Sequence, residues 1–106
     1  MSWPDDSDGD VLRRMHAAGF DFARPVWIDF NVEFIGSSQL HLALKAIGES
    51  MPEATSAIEG DEILVRLQSR LTYPFVVAMQ QRLSAVARPY GGVCDTWGVL
   101  MPPASS

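Results

Sequence analysis

Nine consecutive residues, Val26 to Phe34, alternate in character: Val26, Ile28, Phe30, Val32 and Phe34 are apolar, and Trp27, Asp29, Asn31 and Glu33 fall between them. In an extended chain successive side chains point to opposite faces, so this stretch is a strand with one covered and one wet side. Glu62 to Leu71 repeats the pattern, with Ile63, Val65 and Leu67 on one face and Glu62, Leu64, Arg66, Gln68 and Arg70 on the other. A domain built on two such strands stacks its helices on one face of the sheet and leaves the other to solvent.

Three helices can be read from the hydrophobic period. Val11, Leu12, Met15 and Ala18 recur at helical spacing, with Ser7 or Asp8 placed to cap the start and Gly19 the end. Ser37 and Ser38 precede a stripe of Leu40, Ala43, Leu44 and Ile47. Pro74 suits a first helical turn, and Phe75, Met79, Leu83 and Val86 follow it up to Pro89. Met51 to Glu59, interrupted by Pro52, reads as an edge strand joined to the next through Gly60-Asp61. Gly91-Gly92 then reverses the chain into a last strand, Val93 to Leu100. The order is one helix followed by β-α-β-β-α-β, which predicts an α+β fold: a ferredoxin-like two-layer sandwich with an extra N-terminal helix and a four-stranded, antiparallel-type sheet. That fold implies strand order 4-1-3-2, and the adjoining wet faces then bring Asp29 and Glu33 near Arg66 and Arg70.

At 106 residues the chain is sized for one domain. The expected division is a flexible acidic lead over residues 1–7, a single domain over 8–100 and a flexible tail over 101–106. The formal charge of −5 is concentrated: Asp5, Asp6, Asp8 and Asp10 carry four of those charges, which leaves the body close to neutral. Such a body has no basic face to neutralise phosphates, so non-specific nucleic-acid binding is not expected. Seven arginines stand against one lysine, Lys45. No apolar run is long enough to span a membrane, and the acidic start is the opposite of a secretory signal. The single cysteine, Cys94, cannot form an intrachain disulfide, and the expected location is the cytoplasm.

Catalytic constellations are sparse. Asp6, Asp8 and Asp10 have the spacing of the first ligands of a calcium loop, but Val11 stands where that loop turns on glycine and Ala17 where it closes with glutamate. Helix capping and opposition to the helix dipole account for these aspartates, and no metal site is expected. His16 and His41 lie off the apolar stripes, and Asp95 beside Cys94 would raise the thiol pKa. Gly91-Gly92 lacks the spacing and lysine of a phosphate loop. The wet sheet face offers Trp27 on one central strand and no aromatic on the other, which disfavours base stacking as in RNA-binding sheets. Trp27, Arg66 and Arg70 are instead residue types enriched at protein contacts. The reading is a non-enzymatic binding domain without cofactor.

Two separated stretches, Asp8-Gly9-Asp10-Val11-Leu12-Arg13-Arg14-Met15 leading to Gly19-Phe20-Asp21-Phe22 and Pro25, and Tyr90-Gly91-Gly92 with Asp95 and Trp97-Gly98, resemble the bacterial type B regulators of ribonuclease E activity (RraB-like). The resemblance spans most of residues 8–100. It implies a small cytoplasmic protein that binds endoribonuclease E and inhibits RNA cleavage by protein contact, with Asp8, Asp10, Asp95 and Trp97 as candidate interaction residues. The sequence lacks the acidic C-terminal extension of the best-known regulators. Alternative readings are the same kind of domain with a different protein partner, or a sheet-face RNA binder; no membrane association is implied.

Overall fold

A computed structural model describes residues 3–35 and 39–99. The elements run α1 (Ser7–Ala17), β1 (Pro25–Phe34), α2 (Leu40–Ser50), β2 (Thr55–Glu59), β3 (Glu62–Arg70), α3 (Tyr73–Ala87), a short 3-10 turn (Arg88–Tyr90) and β4 (Gly92–Val99). The fold is α+β, with three helices and an open four-stranded sheet in the order β2-β3-β1-β4, every pair antiparallel. As the alternation requires, Ile28, Phe30, Val32 and Phe34 of β1 and Ile63, Val65 and Leu67 of β3 turn inward and pack against Leu12, Ala43, Ile47, Met79 and Leu83 of the helices. The opposite face of the sheet has no element over it among the described residues.

Several ends differ from the sequence reading. The cap of α1 is Asp6, one residue ahead of the expected Ser7 or Asp8. One of its carboxylate oxygens accepts the Gly9 N–H at 2.7 Å and the other accepts the Tyr73 hydroxyl at 2.5 Å. The expected caps of α2, Ser37 and Ser38, lie outside the described residues; the helix begins after Gln39, which makes no side-chain cap. The edge strand starts at Thr55 rather than Met51, because Met51 ends α2 with its N–H on the Ile47 carbonyl and its side chain buried. The buried stripe of α3 is Val76, Met79, Leu83 and Ala87, joined by Ser84, while Phe75 and Val86 are only partly covered. Residues 3–6, within the expected lead, lie against α1: Arg13 donates to the Trp3 and Pro4 carbonyls, each at 3.1 Å.

The two glycines of Gly91-Gly92 have distinct jobs. Gly91 takes φ 85°, a left-handed conformation that side chains with a Cβ rarely adopt, and its carbonyl accepts the Ile35 N–H. Gly92 is needed for space instead: a Cβ there would stand 2.5 Å from the Phe34 ring and 2.9 Å from the Ala87 Cβ, at the point where β4 leaves α3. Gly92→Ala is therefore expected to destabilise the fold by about 1–3 kcal/mol, the usual cost of overpacking, as read by urea denaturation. A shift below about 0.5 kcal/mol, the size of a typical surface substitution, would show that Phe34 moves aside freely.

Candidate interaction surface

The uncovered face of the sheet gathers several of the candidate residues, and the register decides how they meet. Asp29 lies opposite Arg66, and the two form a bidentate pair, Nε to Oδ1 at 2.6 Å and Nη2 to Oδ2 at 3.0 Å. Donating to this carboxylate holds the Arg66 pKa above its ordinary value. Because β1 and β3 are antiparallel, a pairing of Asp29 with Arg66 forces Glu33 opposite Glu62 and Arg70 opposite Pro25. The expected neighbourhood of Glu33 with Arg66 and Arg70 is thus corrected: moving along β1 from Asp29 to Glu33 moves away from Arg70 on β3.

The same register builds a feature the sequence reading missed. Glu59 of β2 pairs with Glu62 of β3, which pairs on its other side with Glu33 of β1, so three glutamates stand in a row across three strands. Directly opposed like charges are unfavourable. None of the three has an ion pair among the described residues, and Asp61 at the adjoining hairpin is exposed and likewise without one. At the other end of the face Trp27, opposite Gln68, is 47% exposed. Glu59 and Glu62 could have been found from the Gly60-Asp61 turn, which fixes their pairing locally; the third member needed the non-local register.

The motif residues are placed differently. Val32 pairs with Cys94 and Asn31 with Thr96, so β4 carries a bulge with Asp95 as its extra residue. The bulge lets Cys94 and Trp97, three residues apart, both turn toward the helices. There the Trp97 indole N–H donates to Asp8 Oδ1 at 2.9 Å, and Gln80 Nε2 donates to Asp8 Oδ2 at 3.0 Å. One carboxylate in the first turn of α1 thereby fastens β4 and α3. Asp10 pairs within its own helix, with Arg14 at 2.7 Å and more loosely with Arg13 at 3.9 Å. Asp95 is exposed, and Arg70 is exposed at the sheet's far end. The sheet face brings together Trp27 and Arg66; Asp8, Asp10 and Trp97 lie apart from it, on or against the helical layer.

Cys94 is buried, and its backbone N–H and carbonyl are both held by the Ser84 hydroxyl, at 2.9 and 3.2 Å. Burial first, and Asp95 second, push the thiol up to about 12. It stays protonated at neutral pH, and a protonated thiol is a poor nucleophile. Among the described residues no three His, Cys, Asp or Glu side chains converge as a metal site would require, and no helix is long and apolar enough to cross a membrane.

The architecture defines a small α+β domain whose helices seal one sheet face and whose other face presents a tryptophan, a fixed ion pair and a line of carboxylates with no ion pair among the described residues. The family model described as regulator of ribonuclease activity B matches residues 5–99, and the chain belongs to that family, RraB. No curated protein and no solved structure matches the chain.

Proposed function

We propose that this protein binds endoribonuclease E through the uncovered sheet face and inhibits its cleavage of RNA by contact alone, as a non-enzymatic regulator without a cofactor. Family membership supports a regulator of ribonuclease activity. The observation that carries the finer reading is the row Glu59, Glu62 and Glu33 on an otherwise unoccupied face: its charge repels RNA phosphates and suits a basic segment of a protein partner. Trp27, Arg66 and Asp95 contact the partner, Arg70 extends the contact at the far end of the sheet, and Asp8, Asp10 and Trp97 act by holding α1 and β4 in place. The sandwich is read as ferredoxin-like, residues 8–100 as the binding domain, and the location as cytoplasmic.

Calorimetry against purified ribonuclease E, paired with an RNA-cleavage assay, tests this. Saturable binding that weakens with added salt, with a parallel fall in cleavage, is the expected result. Neither binding nor inhibition at about 50 μM, where a regulator of micromolar affinity would be largely bound, removes the assignment.

A further inference from the structure

Beside the start of α3, away from the row of glutamates, lies a groove of about 620 Å³ walled by the rings of Trp3, Phe22 and Tyr73 and by Pro4 and Pro74, with Arg70 among its lining residues. Its walls are held in place from outside. The Tyr73 hydroxyl donates to Asp6, and the backbone of Trp3 and Pro4 is tied through its carbonyls to Arg13. The Trp3 ring packs on Phe22 with centroids 5.6 Å apart and edge-on to His16 at 5.8 Å. Trp3, Phe22 and Tyr73 are each only partly buried. The groove is therefore formed before anything enters it, and an occupant need not order it.

Its chemistry is specific. Aromatic walls set around a rigid channel take proline rings, because a polyproline II segment is extended, already ordered and has its carbonyls exposed. Arg70 has no ion pair among the described residues, so the groove's one cation is available to a carboxylate. The Trp3 indole N–H makes no side-chain hydrogen bond among the described residues and can donate to a backbone carbonyl of the occupant. We propose that this groove is a second docking site, which meets the sheet-face contact only at Arg70, for an extended segment of a protein partner that carries prolines followed by an acidic residue, the prolines lying on Trp3 and Tyr73 and the carboxylate on Arg70.

The test uses the full chain and two capped hexapeptides, four prolines followed by two glutamates and the same with two lysines, titrated while side-chain resonances of Trp3 and Tyr73 are followed by NMR. The glutamate peptide is expected to shift both sets of resonances and to bind about tenfold tighter than its lysine twin. Arg70 is exposed, so Arg70→Glu should fold normally and reverse the preference between the two peptides. Trp3→Ala should lose both. Equal affinity for the twins, no reversal in Arg70→Glu, or no shift at millimolar peptide overturns the proposal. So does a shift of the same resonances on deleting residues 100–106 with no peptide present, which would make the occupant this chain's own Pro102-Pro103 segment.

Discussion

Asp8→Ala is expected to cost about 2–4 kcal/mol of folding stability. Hydrogen bonds to a charged group contribute about 1.5–3 kcal/mol each, and Asp8 accepts two, from Trp97 and from Gln80; both are only partly buried, so solvent offsets part of their loss and the expected cost lies toward the low end of their sum. Alanine also leaves the partly buried indole N–H without its acceptor and removes a negative charge from the first turn of α1, worth a further ~0.5 kcal/mol against the helix dipole. With about 5–15 kcal/mol available to a domain of this kind, the loss is large enough to lower the urea midpoint visibly. Asp8→Asn separates the terms. Its carbonyl can keep the Trp97 bond, while its amide meets the Gln80 amide donor to donor; Gln80 can turn over only by giving up its bond to the Val76 carbonyl. An intermediate loss is expected for Asn, and a loss below about 1 kcal/mol for Ala would show that the carboxylate does not fasten β4 to the helices.

That role for Asp8 shows where sequence reasoning stops. The motif around Asp8-Gly9-Asp10 could be read as an interaction sequence, yet Gly9 is buried where a Cβ would overlap the Pro4 carbonyl oxygen, and Asp8 points at Trp97 across most of the chain's length. What was legible depended on local period. The alternation in β1 and β3 gave the covered and wet faces correctly because every side chain obeys the two-residue repeat. The hairpin register was legible because two turn residues fix it. Register between β1 and β3 was not, since the strands are joined through α2 and β2 and only tertiary packing sets their offset. The reading therefore put Glu33 among arginines when it sits against Glu62. The bulge at Asp95 was equally hidden: an unbroken strand places Cys94 and Trp97 on opposite faces, and nothing in Cys94-Asp95-Thr96-Trp97 marks the extra residue. The contacts of Trp3 were not legible either, because acidic composition describes solvation and not the carbonyl bonds that Trp3 and Pro4 make to Arg13.

Glu62→Lys is expected to move stability and function in opposite directions. Glu62 stands between Glu59 and Glu33, so one substitution turns two like-charge cross-strand pairs into two favourable ones. At about 0.2–1 kcal/mol per pair, the fold should gain roughly 1 kcal/mol, with the gain shrinking as salt screens exposed charges. If the row receives a basic segment of the ribonuclease, the same lysine sits in the middle of the contact, and affinity should fall at least about tenfold, with inhibition of RNA cleavage falling alongside. The natural glutamate would then be kept at the expense of stability, as binding sites commonly are. Glu49→Lys is the control, because Glu49 is exposed on α2 in the helical layer and the exchange changes net charge by the same amount. It should leave binding nearly unchanged. A more stable Glu62→Lys protein that still inhibits as well as the parent would sink the sheet face as the ribonuclease contact. Equal losses in both variants would assign the effect to net charge and to the rate of encounter, since a local contact responds to where the charge stands.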